Sequence, residues 1–415
     1  MNGIRDTTLA ILFLLLAVAA VVAIALFTTG AAPGSVRIAV MTTSDIQSRI
    51  FTPDGSPGGL SRISMYAKTI RSREDGTLLV SSGDDLIGPV YGMFHGEPEM
   101  KGMTLAGYDA VTPGNHEFDL GPDAYLGALA HAGFPVVSSN LLIRETGNAT
   151  AIRPEFDLGP VYYVGSVARA GFPVVSSNLV IRETGNATAI RPYLVLDVGG
   201  VRTGIFGLMT PDLARLAPAG DRVVVDGDLV NVSRRMVSLL RSDGARLVIA
   251  ISHAGAEEDR KVAGSVPGIH VIVGGHDHIY LNETVAGPGG WTTRLVQAGS
   301  GGEKLGILRF TWQGGGIRQA AWETVAMDSA VPGDPAVENY LGPFRQEYED
   351  RFSRPVGETL VPLEARSAVI RTGESNLGNL VTDSWREWFP DAEIALVHAG
   401  AIRGDTLYPA GPISL

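Results

Sequence analysis

Short apolar runs recur along the chain, and each is followed by a polar cluster. Residues 36–40 are rich in branched side chains and predict a strand that ends just before Asp45. The same pattern recurs at four further places: residues 78–80 precede Gly83-Asp84, residues 110–111 precede Gly114-Asn115-His116, residues 247–251 precede Ser252-His253, and residues 271–273 precede Gly275-His276-Asp277-His278. Open α/β sheets carry their sites where strands give way to loops, so these clusters predict one shared site.

Helical spacing appears in two further segments. Residues 59–73 place Leu60, Ile63, Ala67 and Ile70 on one face, which predicts an amphipathic helix packed on a sheet. Residues 338–354 form a charged, helix-like stretch after two prolines, and we interpret residues 331–356 as a linker.

The region after the linker predicts a second α/β domain. Residues 374–383 form the start of a capped amphipathic helix, and residues 393–397 predict a strand. The aromatic side chains Trp385, Trp388 and Phe389 are close enough to share a helical face, which predicts packing in a core.

An apolar run at residues 9–27 follows Arg5 near the start of the chain. It approaches the ~20 residues that a membrane-spanning helix needs. We therefore predict that residues 1–34 form an N-terminal membrane anchor, with a cleaved signal segment as the alternative because small residues follow at 30–32. Arg5 favours a cytoplasmic amino terminus, which would place the remainder outside the cytoplasm, anchored or secreted.

Composition narrows the class of protein. A length of 415 residues with 45% hydrophobic positions suits a two-domain enzyme, here residues 35–330 and 357–415. The formal charge of −11 argues against a nucleic-acid polymer as partner, since phosphate backbones are held by excess Lys and Arg. The chain has no cysteine, which excludes disulfides and thiolate ligands.

A tandem repeat interrupts the first domain. Residues 117–154 match residues 155–192 at 31 positions. Two copies are too few for a stacked-repeat fold and indicate a duplication of one helix-strand unit. The identical segments 134–140 and 172–178 must compete for one strand position, so we predict that the surplus copy forms a surface excursion.

The polar clusters contain the side chains that hard or borderline divalent cations prefer: carboxylate, amide and imidazole. Asp84 follows a glycine and is the natural residue to be shared by two ions, although a turn aspartate that caps the next helix is the alternative. His276 and His278, two positions apart after Gly274-Gly275, can converge on neighbouring ions. The ligand candidates are Asp45, Gln47, Asp84, Asn115, His253, His276 and His278.

Asn115 and His116 are adjacent, so their side chains diverge and only one can face a metal. If Asn115 is the ligand, His116 would face an incoming substrate such as a phosphate ester, oriented by Asp119, and could protonate its leaving oxygen. A surface histidine is the alternative for His116. We interpret Glu117 as a supporting or capping residue rather than a ligand, and the histidines outside the clusters as surface or packing residues: His95, His131 and His270.

The ordered set of clusters resembles the calcineurin-like metallophosphoesterase superfamily, and specifically its 5′-nucleotidase / UDP-sugar hydrolase branch. The Asn-Leu-Gly-Asn-Leu motif that begins at Asn376 and the Gly-x-Ile-Arg motif that begins at Gly400 resemble the C-terminal domain of that branch. The resemblance implies an α/β fold: a four-layer α/β/β/α sandwich followed by a C-terminal α/β domain, which we expect to be truncated here.

The resemblance also implies roles for individual residues. The first of two divalent ions (zinc, manganese or similar) would take Asp45, Gln47, Asp84 and His278, and the second Asp84, Asn115, His253 and His276. His116 and Asp119 would form the catalytic dyad, while Asn115, Asn376 and Arg403 would contact substrate. Gln47 and His398 depart from the family pattern, which usually has histidine and asparagine there. An amide is a weaker ligand than imidazole for zinc-like ions, so we expect a looser first metal.

The function implied is metal-dependent hydrolysis of a nucleotide or related small phosphoester outside the cytoplasm. A cyclic phosphodiesterase or a broad phosphomonoesterase is the alternative within that class. A surface protein that binds metal or nucleotide without turnover is the alternative of a different class, suggested by Gln47 and by the duplication.

Overall fold

The computed structural model describes residues 34–52, 57–143, 190–402 and 405–414. The helices within them are α1 (Leu60–Arg71), α2 (Gly88–Phe94), α3 (Glu97–Ala106), α4 (Pro122–Leu129), α5 (Leu213–Leu216), α6 (Leu229–Ser242), α7 (Ala256–Ser265), α8 (Pro335–Phe352), α9 (Ser367–Ile370) and α10 (Asn376–Trp388). The strands are β1 (Val36–Thr43), β2 (Gly76–Ser81), β3 (Ala110–Val111), β4 (Val136–Val137), β5 (Leu141–Ile143), β6 (Ile190–Arg191), β7 (Tyr193–Val198), β8 (Val201–Met209), β9 (Val223–Val225), β10 (Leu247–His253), β11 (Val271–Gly274), β12 (Tyr280–Ala286), β13 (Thr292–Ala298), β14 (Lys304–Gln313), β15 (Gly316–Ala326), β16 (Pro355–Thr359), β17 (Leu363–Glu364), β18 (Leu407–Tyr408) and β19 (Gly411–Ser414).

Two large sheets form the first unit. One has the order β15-β14-β1-β2-β3-β4-β6, and the other the order β12-β13-β11-β10-β8-β7. Strands β1, β2, β3, β4 and β6 run parallel, as do β8, β10, β11 and β13. The strands that precede the predicted polar clusters are therefore confirmed.

The core lies between the sheets. Ile38 and Val80 of the first sheet pack in one buried cluster with Ile249 and Val273 of the second. Both faces of the central strands are covered, which is why these segments are continuous apolar runs rather than alternating ones. Gly207 marks a place where the sheets touch directly, because a Cβ atom there would lie 1.9 Å from the carbonyl oxygen of Val137.

Helices cover the outer faces. On the second sheet, α6 and α7 bury Met236, Leu240 and Val262 in a cluster with strand residues such as Val248. On the first sheet, α1 packs against β2 and α3, and its predicted apolar face is buried: Leu60, Ile63, Ala67 and Ile70. The predicted α/β/β/α layering is thus confirmed.

The carboxyl ends of the parallel strands meet at one edge of the sandwich. The carbonyl of Ser82, after β2, accepts a hydrogen bond from Nδ1 of His253 at 2.6 Å. The hydroxyl of Ser44, after β1, donates to the carbonyl of Gly299 at 2.7 Å, after β13. These links join the two sheets where the predicted clusters lie.

The chain divides into two compact units after Leu341, within α8. Helix α8 therefore covers most of the predicted linker 331–356. In the second unit, β16 pairs with β19 and β17 with β18, both antiparallel. The predicted capped helix is α10, where the Ser375 hydroxyl accepts a hydrogen bond from the Gly378 amide at 3.1 Å.

Two predictions for the second unit are wrong. Trp385, Trp388 and Phe389 are not in a core, because they are 44%, 81% and 61% exposed. Residues 393–397 form no strand, and Ile394 within them is 75% exposed. Alternation and aromatic spacing favour burial only when a neighbouring element covers the face, and no described element covers these side chains.

The first copy of the repeat occupies the contested strand position. Val136–Val137 forms β4, and the chain returns to the sheet at Ile190–Arg191, close to the end of the second copy. The predicted surplus segment 172–178 and the predicted anchor at residues 9–27 lie outside the described residues and stay predictions. Among the residues the structure describes, no helix is long and apolar enough to cross a bilayer.

Candidate active site

His116 and Asp119 form a hydrogen-bonded pair after β3. Residues 116–118 make a single 3-10 turn that brings the two side chains together, with Nδ1 of His116 2.9 Å from Oδ2 of Asp119. A carboxylate can only accept, so Nδ1 carries the proton and Nε2 faces away from Asp119. Nε2 lies 3.9 Å from Oδ2 of Asp84. The predicted orientation of His116 by Asp119 is therefore seen in the structure.

Burial and charge act in opposite directions on His116. Burial would lower its pKa, but the hydrogen bond to Asp119 and the charge of Asp84 raise the pKa above its ordinary value. A histidine with a raised pKa stays protonated at higher pH and so retains a proton to donate.

Asp84, His253 and His276 form a cluster that could hold a metal ion, with one ligand atom of each within 4.8 Å of the others. Nε2 of His253 lies 3.2 Å from Oδ2 of Asp84, and Nδ1 of His276 lies 3.3 Å from Nε2 of His253. The three predicted ligands thus meet around one point.

Opposite charges stabilise the buried Asp84 and His253 pair. Burial would raise the pKa of Asp84, but the facing charge of His253 lowers it. Burial would lower the pKa of His253, but the charge of Asp84 raises it. Burial and the nearby charge of His253 lower the pKa of His276, which favours its neutral form. A metal that bound here would have to displace the proton from His253.

Asp45, Gln47 and His278 form the adjoining half of the site. Nε2 of His278 lies 3.3 Å from Oδ1 of Asp45 and 3.1 Å from Nε2 of Gln47. The backbone N–H of His276 donates to Oδ2 of Asp45 at 3.2 Å, which joins the two halves. Six of the seven predicted ligand side chains are therefore gathered at one sheet edge, and the seventh, Asn115, directly precedes His116, whose backbone N–H donates to Oδ1 of Asp84 at 2.8 Å.

The residues present fit divalent cations. Oδ1 of Asp45 and Oδ1 of Asn115 are buried and accept no hydrogen bond within the described chain. An unsatisfied buried oxygen is costly unless a cation or water pairs with it. His253 donates Nδ1–H to a backbone carbonyl, the arrangement that orients metal-binding histidines. Carboxylate, amide and imidazole donors together suit zinc- or manganese-like ions.

The backbone of the ligand loops is strained. Positive φ angles occur at Asp45, Gln47, Asp84, His276 and His278, with values of 52°, 54°, 54°, 82° and 58°. Each such residue costs on the order of 1 kcal/mol and persists only where surrounding contacts hold it. Strain of this kind concentrates at functional sites, and five of the nine described non-glycine residues with positive φ are predicted ligands.

Glu117 holds two of these loops and is 2% exposed. Its carboxylate accepts hydrogen bonds from the backbone N–H groups of Asp84, Asp85, Leu86 and Gly114 at 3.1, 2.7, 3.2 and 2.6 Å. Burial and the charge of Asp84 raise its pKa, whereas the backbone donors favour its ionised form. The predicted supporting role of Glu117 agrees with these contacts, although its link to the loop after β2 has no sequence signal.

Glycine is required where these loops touch. Gly83 has a φ of +87°, and a Cβ atom there would lie 2.5 Å from the amide nitrogen of Gly114. A Cβ atom at Gly114 would lie 2.2 Å from Oδ1 of Asp84. These two glycines allow Asp84 and Asn115 to stand side by side.

The three residues of the second unit singled out from the sequence, Asn376, His398 and Arg403, have no structural evidence for a substrate contact among the described residues. Asn376 uses both side-chain polar atoms locally, donating to the carbonyl of Pro362 at 2.7 Å and accepting from the amide of Glu364 at 2.8 Å. Arg403 lies outside the described residues. Nδ1 of His398 accepts from the amide of Gly400 at 3.1 Å. The substrate contacts of Asn376 and Arg403 stay predictions.

The remaining histidines agree with the predicted surface and packing roles. His95 and His131 are exposed. His270 packs edge-on against Trp312, with ring centroids 5.1 Å apart.

Comparison with known proteins relates this geometry to a family. Residues 355–415 match the family described as the 5′-nucleotidase C-terminal domain. The chain is 27% identical over 409 residues to the snake venom 5′-nucleotidase of Gloydius brevicauda, covering 90% of this chain and 63% of that protein. It is 27% identical over 381 residues to human 5′-nucleotidase, covering 85% and 60%.

A solved structure agrees with these matches. The 5′-nucleotidase precursor of Thermus thermophilus superposes with a TM-score of 0.70 at 28% identity, covering 91% of this chain and 72% of that one. The chain spans less than two thirds of the length of the venom and human proteins. The resemblance to the 5′-nucleotidases of the calcineurin-like metallophosphoesterase superfamily is confirmed.

Proposed function

We propose, from the confirmed resemblance to 5′-nucleotidases, that this protein hydrolyses the phosphoester of nucleotides at a two-metal site. The observation that carries the proposal is the position of the His116–Asp119 pair, in which Nε2 of His116 lies 3.9 Å from Asp84 beside the ligand cluster. A general acid next to a cation site is the arrangement that phosphoester hydrolysis needs.

The proposed ligands follow the two halves of the site. Asp84, Asn115, His253 and His276 would hold one divalent ion, and Asp45, Gln47 and His278, with Asp84, the other. Bound ions would neutralise the charge that develops on the phosphate oxygens.

The protein's own groups would supply the rest of the chemistry. His116 would donate the proton from Nε2 to the leaving oxygen, while Asp119 holds the ring and its tautomer through Nδ1. Burial of Asp84 and His253 excludes water from their side of the site and strengthens the electrostatic interactions there.

The substrate is tested with the full-length chain purified free of metal and then given Mn²⁺. Release of phosphate from AMP, slowed by about 10²–10⁴-fold after His116→Asn, is the expected result. Cleavage of an aryl phosphate without preference for AMP would favour a broad phosphomonoesterase, and cleavage of cyclic nucleotides a phosphodiesterase. Metal binding without turnover of AMP, the aryl phosphate or the cyclic nucleotides would favour the alternative of a binding protein without catalytic activity.

We also propose that the protein works outside the cytoplasm, anchored or secreted. The support is the apolar run at residues 9–27 with Arg5 before it. A reporter enzyme active only outside the cytoplasm, fused after residue 415, tests this, and an inactive reporter would contradict it.

A further inference from the structure

Gln297 is a fully buried polar residue for which the ligand set gives no role. It lies near the end of β13, is 0% exposed, and is neither a candidate ligand nor a neighbour of the His116–Asp119 pair in sequence. A buried amide needs partners for its donor and its acceptor. Both partners of Gln297 belong to the loop that carries His276 and His278.

The sheet order explains why the loop passes over Gln297. Strand β13 lies between β11 and β12, and Gln297 pairs in register with Gly274 on one side and Leu281 on the other. The chain leaving β11 must therefore arch over the end of β13 to enter β12. His276 and His278 lie on this connection, residues 275–279, which we call the arch.

Gln297 is hydrogen-bonded to both ends of the arch. Its Nε2 donates to the carbonyl of Gly275 at 2.6 Å, and its Oε1 accepts from the amide of Ile279 at 3.2 Å. A carbonyl can only accept and an amide N–H can only donate, so the orientation of the side-chain amide is fixed. The two bonds bracket the residues between, which include both histidines.

The arch needs such a restraint. His276 and His278 both have positive φ angles, 82° and 58°, which non-glycine residues adopt only when other contacts hold them. Within the arch, Asp277 makes a further tie by accepting from the amide of Ala256 at 2.5 Å. Gln297 restrains the arch through hydrogen bonds from β13, the strand over which the arch passes.

We propose that Gln297 is a positioning residue for the metal site, which holds the His276–His278 backbone in its strained, ligand-presenting conformation. The effect on metal binding rests on the proposed function, whereas the restraint of the loop does not. Partners that orient ligands in this way are worth about 10–100-fold in metal affinity.

The test compares Gln297→Met with Thr293→Val in the full-length chain. Methionine keeps the volume and removes both hydrogen bonds. Thr293 lies four residues earlier in β13, is 0% exposed, and donates to the carbonyl of Ile269 at 2.9 Å, away from the arch. Thr293→Val therefore removes a comparable buried hydrogen bond without touching the histidine loop.

Two readouts are taken. Titration of the metal-free protein with Co²⁺, followed by its visible absorption, should show about 10–100-fold weaker binding and an altered spectrum for Gln297→Met and no comparable change for Thr293→Val. Hydrogen exchange of the Ile279 amide in metal-free protein should be about tenfold faster or more in Gln297→Met alone, since that amide loses its acceptor.

The outcomes separate the two proposals. Wild-type Co²⁺ affinity and spectrum in Gln297→Met would overturn the positioning role, as would unchanged exchange at Ile279. A wild-type chain that binds no Co²⁺ would overturn the proposed function, and exchange at Ile279 would then decide whether Gln297 restrains the loop. If the methionine variant does not fold, Gln297→Leu, which also removes both hydrogen bonds without burying a charge, gives the same comparison with the same expected losses.

Discussion

Nδ1 of His116 donates a hydrogen bond to Oδ2 of Asp119 across 2.9 Å, within a single turn that follows β3. The pair stands on the same loop as Asn115, whose buried Oδ1 has no hydrogen-bond partner among the described residues. One short segment therefore carries both the proposed acid, His116, and the proposed ligand, Asn115, and mutation can separate the two proposed functions.

Replacing His116 by Asn should remove the proton donor and leave the ligands in place. We expect kcat for AMP to fall by about 10²–10⁴-fold, the usual contribution of a general acid, with the bound metal content unchanged by elemental analysis. Asp119→Ala should have a smaller effect, because it frees the ring without removing it. A variant that lost metal together with activity would show that His116 is a ligand.

Gln47→His should tighten the first metal. Imidazole is a better donor than an amide for zinc-like ions, and we expect Zn²⁺ affinity in that half of the site to rise by about tenfold or more, measured by competition with a chelator. Gln313→His is the control, because Gln313 ends β14 opposite the start of β1, at the other edge of the sheet. Equal affinities in wild type and Gln47→His would show that residue 47 does not contact metal.

Glu117→Gln should weaken the fold at the site. A glutamine can accept at only one of its two terminal atoms, so some of the four backbone donors lose their partner. We expect the free energy of unfolding to fall by about 1–3 kcal/mol, measured by urea denaturation in a chelator. Glu257→Gln is the matched control, since its side chain is 83% exposed and its pair with Lys261 is a surface contact. A loss no larger than in this control would contradict the role of Glu117.

His270 should make the protein less stable in acid. Burial, with the charge of Arg241 adding to it, lowers its pKa to about 4 from 6.5. Between those pH values the unfolded chain binds a proton that the folded chain does not, so stability is lost as pH falls through this range, by up to about 3 kcal/mol.

His270→Asn tests this pH dependence. Asparagine keeps an acceptor for the Val248 amide, which now donates to Nδ1 at 3.0 Å, and removes the titrating ring. Urea unfolding at about pH 7.5 and about pH 5, in a chelator, should show a smaller loss of stability on acidification in the variant than in wild type. An equal loss in both would locate the acid sensitivity elsewhere.

Deleting residues 155–192 should preserve activity. The strand β6 and Pro192 are lost, but residues 152–154 repeat the sequence of residues 190–192 and then join Tyr193. The connection from β5 to β6 becomes shorter, and its smaller closure entropy should raise the free energy of unfolding by roughly 1–2 kcal/mol. Complete loss of activity would show that the second copy is not surplus.

Deleting residues 117–154 instead gives a matched comparison. The dyad is rebuilt with Asp157, but the second copy supplies Ser166 and Val167 where Ala128 and Leu129 are buried in α4. We expect this variant to be active and less stable than the first deletion by about 1–2 kcal/mol, because a buried hydroxyl and a smaller side chain weaken the helix contact.

The sequence predicts the strands and the ligands because both leave local patterns. Each buried strand is an apolar run, and each ligand cluster follows one directly. Glu117 and Gln297 are harder to identify from the sequence, because most of their partners are backbone groups distant in the chain. Any residue type presents such a backbone group, so no sequence pattern marks the contact. The prediction for residues 385–389 is wrong for a related reason, since helical spacing defines a face but not whether another element covers it.

Several of the predicted ligands have left-handed backbone conformations, and this limits which residue types can occupy their positions. Asp, Asn and His tolerate positive φ better than other non-glycine residues, and they are also the side chains that bind divalent ions. Geometry and coordination chemistry thus select the same few residue types at Asp45, Asp84, His276 and His278. Gln47, at a φ of 54°, satisfies neither preference as well as histidine would, so a change to histidine at that codon is the substitution most easily accommodated.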